Sequence, residues 1–241
     1  MAPYQVVRSK MAKLSALLQD PELVPYLPET VFYSPENLER MLKDHTLVYV
    51  KPDKGRGGER VVAVQLNKDG RYRVHYKTHI QDNMTFDAVR AYLAGVMQVK
   101  KSIVQQGIKL LRVKSSPIDL RVHIQKPFNK WEVTGLLVKI AAPGKIVTNL
   151  HSGGTLVNFK EGLARAGLKR RKVVKLTDKL IYLGERAAAA LNKKYSGLRE
   201  LGVDFALDQE GRPWILEVNT RPQFPKGDKR VDQYHRIIVN K

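Results

Sequence analysis

Asp204, Glu217 and Asn219 are oxygen-bearing side chains set in the frame L-G-V-D-F-A-L-D-Q-E-G-R-P-W-I-L-E-V-N-T-R-P. Val203 to Leu207 is an apolar run broken by Asp204. Residues 208–213 are rich in turn formers, and Trp214 to Val218 is a second apolar run, so the segment reads as a hairpin. Side chains alternate faces along a strand. Glu217 and Asn219 therefore point the same way, and Asp204 can face them from the partner strand. Hard oxygens on a rigid ribbon suit magnesium, which keeps several waters and takes only one or two protein carboxylates beside phosphate oxygens. The alternative is a solvated strand face. Against it stands the cost of burying an unpaired charge among apolar neighbours.

Other residues have the chemistry to handle a polyphosphate. Lys51 ends the apolar strand Leu47 to Val50, just before Pro52 and the glycine-rich turn D-K-G-R-G-G-E-R. A lysine there offers a phosphate a compact point charge. Gly55, Gly57 and Gly58 let the backbone fold over that phosphate and present its N–H groups. An ordinary hairpin connection is the alternative, and neither a Walker A nor a dinucleotide-binding spacing is present. Arg121, in Asp119-Leu120-Arg121, and Lys139, in L-L-V-K-I-A-A-P-G, are cations on apolar strands that need anionic partners. A γ-phosphoryl group in transfer is one such partner; for Arg121, Asp119 or another acid is the structural alternative.

The elements that must position these groups follow from periodicity. Met11, Leu14, Leu17 and Leu18 predict a short helix over Arg8 to Leu18. Ser34-Pro35 starts a second helix, striped by Leu38, Met41 and Leu42. Val61 to Leu66 and Tyr72 to Lys77 read as a hairpin, Thr85 to Gln98 as a helix and Ser102 to Gln105 as a buried strand. Leu120 to Gln125 and Trp131 to Ile140 are long strands. The second shows little alternation, which predicts a central strand covered on both faces. Ile146 to Leu150 is expected as another strand, and Val174 to Tyr195 as the longest helix, stopped at Gly197. Long antiparallel strands with interspersed helices predict an α+β fold with a seam near Gln106-Gly107.

These residues resemble the ATP-grasp superfamily, whose signature is Asp, a turn, Glu-x-Asn and then a proline, as Asp204, Glu217, Asn219 and Pro222 stand here. Within it the chain is similar to the spore-coat-associated YheC/YheD group, on Tyr26-Leu27-Pro28-Glu29-Thr30, Val104-Gln105-Gln106-Gly107-Ile108, Asp119-Leu120-Arg121-Val122 and Thr148-Asn149. The resemblance implies two α+β subdomains clasping ATP. Residues 1–45 would be a helical lead-in, 46–106 the small subdomain with its glycine flap, and 107–241 the large subdomain with the metal site. It implies ATP and magnesium, with manganese as the alternative ion, held by Asp204, Glu217 and Asn219. Lys10 and Lys51 would hold phosphates, and Gln105, Gln106 and the Ile108 N–H would meet adenine. Arg121 and Lys139 would be catalytic, although Lys139 stands where glutathione-synthetase-like members carry a second arginine. Asn149, Ser152, Gly153, Gly154 and Arg221 would meet substrate. The implied activity is a carboxylate–amine ligase working through an acyl phosphate, with a carboxylate substrate and a nucleophile as partners. Group members carry a further N-terminal region, so part of the substrate site is expected to be absent here or supplied by a partner.

Composition bounds the rest. The chain has 241 residues, 43% apolar and 27% charged, enough for a substantial core. With no cysteine it holds no disulfide, thiolate zinc site or cysteine nucleophile, which fits a cytoplasmic chain. No apolar stretch approaches membrane-spanning length. The net charge of +20 attracts polyanions, densest at Lys169-Arg170-Arg171-Lys172. An acidic peptide or polymer is one expected partner. Few aromatics interleave with the basic cluster, so nucleic acid is the less favoured alternative.

Overall fold

The computed structural model describes residues 4–55, 59–98, 101–146, 148, 153–223 and 229–239. Two wholly antiparallel sheets carry the helices. The first has the order β1-β6-β2-β3-β4-β5, from β1 (Thr30–Phe32), β2 (Leu47–Pro52), β3 (Val62–Leu66), β4 (Tyr72–Tyr76), β5 (His79–Met84) and β6 (Ser102–Gln106). Two helices cover it, α2 (Pro35–His45) and α3 (Phe86–Met97). Leu38, Met41, Leu42, Val89 and Leu93 pack there against Val48, Val50, Val62, Val64 and Val104. Both helices start where side chains can cap them. Ser34 accepts from the Asn37 N–H with Pro35 at the first position, and Thr85 accepts from the Ala88 N–H.

The second sheet runs β10-β9-β8-β11-β12, from β8 (Ser116–Gln125), β9 (Glu132–Ile140), β10 (Thr155–Asn158), β11 (Glu200–Leu207) and β12 (Pro213–Asn219); the short β7 (Arg112–Val113) pairs with β8. One face of β8 and β11 is apolar: Ile118, Leu120, Val122, Ile124, Leu201, Val203, Phe205 and Leu207. That face packs on α1 (Lys10–Leu17), α4 (Phe159–Arg165) and the 25-residue α5 (Arg170–Lys194). A last helix, α6 (Lys229–Val239), closes the described chain. Residues 4–45 are thus shared out: α1 joins the core of the second sheet, while β1 and α2 belong to the first.

One strand expectation is corrected. The apolar stretch ending at Ile140 is not a central strand covered on both faces. β9 lies between β10 and β8, and β10 reaches only Leu137 to Ile140, so most of β9 is half-buried. The centre belongs to β8 and β11, whose residues are nearly all buried. Residues 146–150 lie largely outside the described set, and the strand that pairs next to β9 is β10. Between the two sheets the chain passes through Gly107, whose N–H donates to the Leu47 carbonyl at 2.8 Å. A Cβ there would come within 2.8 Å of that same carbonyl oxygen, so only glycine fits the crossing.

Candidate active site

The β-register builds the anionic half of the site. Asp204 on β11 is the direct partner of Arg121 on β8 and of Glu217 on β12, and Asp119 on β8 is the partner of Lys139 on β9. Direct partners in an antiparallel pair share a face, so charged groups from four strands converge opposite the apolar core. Arg121 donates to both Asp204 oxygens, Nε to Oδ1 at 2.7 Å and Nη2 to Oδ2 at 2.9 Å. Lys139 Nζ donates to Asp204 Oδ1 at 2.7 Å, and Asn219 Nδ2 to Oδ2 at 2.8 Å. Lys139 also lies 3.0 Å from Asp119, which accepts a short hydrogen bond from the Thr148 hydroxyl.

Electrostatics keep Asp204 and Lys139 charged. Burial works against ionised Asp204, but Arg121 and Lys139 outweigh it and hold the carboxyl at about 2. Burial likewise opposes the charge on Lys139, and Asp204 with Asp119 overcomes it, so its pKa rises above the ordinary lysine value. Asp119 goes the other way: its burial dominates and raises its pKa despite Lys139.

The cationic half comes from the first sheet and α1. Lys10 and Lys13 reach Glu217 Oε1 at 3.7 and 3.5 Å. Lys51 Nζ donates to Gln105 Oε1 at 2.8 Å. Burial lowers the Lys51 pKa to about 8, with Glu217 opposing the shift and Lys10 and Lys13 adding to it. Burial also lowers Lys13, against the pull of Glu217. The lysines are set by Asp53, which is buried. Its carboxylate accepts from the Met11 N–H and the Ser9 hydroxyl, both at 2.9 Å, and its carbonyl accepts from the Lys10 N–H at 3.0 Å. The start of α1 is thereby pinned to the end of β2, which brings Lys10 and Lys13 beside Lys51. Lys10, Lys13, Lys51 and Glu217 line a cleft with Leu14, Leu17, Leu27, Ile103, Ile215 and Val218. Small-ligand sites combine an apolar wall with a few placed polar groups.

The remaining sequence candidates are distributed as follows. Gln105 lies in the cleft with its amide engaged, Nε2 donating to Thr30 Oγ1 at 3.1 Å and to the Leu216 carbonyl at 3.3 Å. Gln106 exchanges hydrogen bonds with Glu29, its Oε1 accepting from the Glu29 N–H at 3.1 Å. Ile108 is buried, and Gly55 packs on Pro52. Gly153 has φ +86 and sits against Ala142, with Gly154 following it into β10. Arg221 is exposed just beyond β12. Gly57, Gly58, Asn149 and Ser152 lie outside the described residues. Sequence reading missed Asp53 and gave Lys13 second place to Lys10. The one available signal was helical spacing, which puts Lys10 and Lys13 on one face of α1.

Asp204, Glu217 and Asn219 are the residues that could hold a metal ion. Asp204 is half-buried and ionised, with both oxygens engaged by Arg121, Lys139 and the Asn219 amide nitrogen, and Glu217 is its cross-strand partner. Residues 4–239 match the family described as YheC/D like ATP-grasp. The chain belongs to that family. Among curated relatives of this YheC/D-like chain, endospore coat-associated protein YheD of Bacillus subtilis (strain 168) is 32% identical over 218 residues. That match covers 86% of this chain and 46% of YheD. Endospore coat-associated protein YheC of the same organism is 24% identical over 217 residues, covering 88% of this chain and 59% of YheC. The chain thus spans about half the length of the curated relatives it matches. Solved structures share the ATP-grasp fold at low identity. D-alanine–D-alanine ligase from Bacillus anthracis superposes with a TM-score of 0.56 at 13% identity, covering 97% of this chain and 66% of the ligase. N5-carboxyaminoimidazole synthase from Aspergillus clavatus, solved with ADP and 5-aminoimidazole ribonucleotide, gives 0.58 at 11% identity, covering 98% and 52%.

Proposed function

We propose that the chain is an ATP- and magnesium-dependent ligase that joins a carboxylate to an amine or related nucleophile. In this reading the substrate carboxylate attacks the γ-phosphorus of ATP, ADP leaves, and the nucleophile then displaces phosphate from the acyl phosphate. The observation that carries it is the joining of two charge sets through Glu217: it lines the cleft with Lys10, Lys13 and Lys51, and it is the cross-strand partner of Asp204, which binds Arg121, Lys139 and Asn219. The lysines would hold the polyphosphate, and the apolar wall beside Gln105 would receive the base. Arg121 and Lys139 stand ready, preorganised by Asp204 and Asp119, to meet charge developing on the transferred group. Asp204, Glu217 and Asn219 would hold magnesium, which supplies charge neutralisation and alignment to the phosphates. Spore association is extended to this chain from the printed names of YheD and YheC. The net charge favours an acidic peptide or polymer as the carboxylate partner. The test is ADP release over a panel of acids and amines, with Glu217→Gln beside the parent. The variant should lose about 10²-fold in magnesium-dependent rate. Equal rates on an accepted substrate pair would refute the metal role.

A second reading is a non-catalytic ATP-binding coat or assembly protein. Lys139 favours it, because an ammonium cannot make the bidentate contact of a guanidinium. Tight nucleotide binding with no turnover on any acid–amine pair would select it.

A further inference from the structure

Gly202 is an interior strand residue whose backbone does not require glycine. It lies in β11 without a left-handed φ, pairs with His123 on β8 and Asn219 on β12, and is buried. Glycine in a strand interior forfeits side-chain packing and usually marks a close approach by another group. That group is Arg121. A Cβ on Gly202 would stand 2.7 Å from Arg121 Nη1 and 3.1 Å from its Cζ, with Pro222 Cβ at 2.8 Å on the other side. The reason lies in the register. Arg121 and Asp204 are direct cross-strand partners, so the long arginine cannot extend straight and still present two donors to one carboxylate. It folds along the sheet instead. Its Nε and Nη2 edge meets Asp204, and Nη1 passes over the bare Cα of Gly202 toward the Gln223 carbonyl, 3.5 Å away.

We propose that Gly202 is a positioning residue: the missing side chain seats the Arg121 guanidinium on Asp204, in the attitude from which it meets the terminal phosphate of the nucleotide. The inference rests on the nucleotide reading above. It assigns to Gly202 no contact with ATP, only the placing of the arginine. Of the two groups a methyl would strike, Pro222 is a rigid ring, and the guanidinium yields only by leaving its two hydrogen bonds to Asp204. An alanine therefore unseats the arginine, and the strain it adds against Pro222 is read separately in the melt.

The experiment is calorimetric affinity for a non-hydrolysable ATP analogue and for ADP, both with magnesium, in the parent, Gly202→Ala, Arg121→Ala and the double variant. The quantity read is the ratio of the two affinities within each protein, which a general loss of stability does not move. Arg121→Ala should cut the preference for the triphosphate by roughly tenfold. Gly202→Ala should cut it in the same direction, and the double variant should match Arg121→Ala within about twofold. A parent-like ratio in Gly202→Ala overturns the inference, as does a further loss on top of Arg121→Ala. If Gly202→Ala melts far below the parent, recovery of the melt on adding Arg121→Ala supports the same steric relation. Failure to recover assigns the constraint to Pro222 and overturns it. A parent that binds neither nucleotide sinks the nucleotide reading and this inference together, an outcome distinct from normal binding with an unchanged ratio.

Discussion

At Lys51 burial lowers the ammonium pKa from 10.5 to about 8, with Glu217 opposing and Lys10 and Lys13 adding to the shift. The charged form is the one a phosphate wants. Nucleotide affinity should therefore be level below about pH 8 and fall above it by up to about tenfold per pH unit, until the pKa of the complex is reached. Calorimetry from about pH 7 to about pH 9.5 checks this. Lys51→Arg, whose guanidinium stays charged, should flatten the alkaline limb, and an unchanged limb would remove Lys51 from the phosphate site. Stability carries the opposite sign. Between the native pKa and that of the unfolded chain, the unfolded state binds more protons, so the Lys51 contribution grows more favourable as pH rises through that window.

At the element scale α5 begins against its own dipole. Its N-cap is Lys169, at φ −69 and ψ 147, with no side-chain capping bond; its first turn carries no acid, and Arg170, Arg171 and Lys172 open the helix. An N-cap aspartate or serine is worth about 1 kcal/mol, and removing a cation from the positive end about 0.3–1 kcal/mol more. Lys169→Asp should therefore raise the urea midpoint, with an unchanged m-value, by the equivalent of about 1–2 kcal/mol. No rise would mean that local structure already satisfies the first N–H groups. Because this helix is anchored by Leu176, Leu180, Leu183, Ala187 and Leu191, the unfavourable start is tolerated by packing further along.

Across the whole molecule 43 basic residues face 23 acidic ones. The charge state of the cleft belongs to the same imbalance, with Lys10, Lys13 and Lys51 gathered around Glu217. Self-repulsion of this kind is screened by salt. The melting temperature should rise between about 0.05 and about 0.5 M sodium chloride, while affinity for ATP should fall over the same range. A melt that drops with salt would show that ion pairs such as Arg121–Asp204, and not net repulsion, dominate the response.

Local chemistry was enough to read many of the elements. Ser34 and Pro35 announce α2, Thr85 announces α3, and the turn residues between Leu207 and Pro213 announce the last hairpin, because capping and turn formation depend on residues a few positions apart. The identities of Asp204, Glu217 and Asn219, with two apolar runs of matching length, were likewise enough to expect that the three share a face. Apolar content misled at β9, since a hydrophobic run records what a strand could bury and not how far its neighbour extends. Register and the pinning of α1 emerge only when distant segments meet. Arg121 finds Asp204 and not Asp119 because β8 and β11 align those two Cα atoms, Asp53 places Lys10 beside Lys51 across the turn after β2, and the need for a bare Cα at Gly202 arises only once Arg121 lies over it. Such contacts span tens to hundreds of positions along the chain, beyond any spacing rule, and are decided by the packing of the two sheets against their helices.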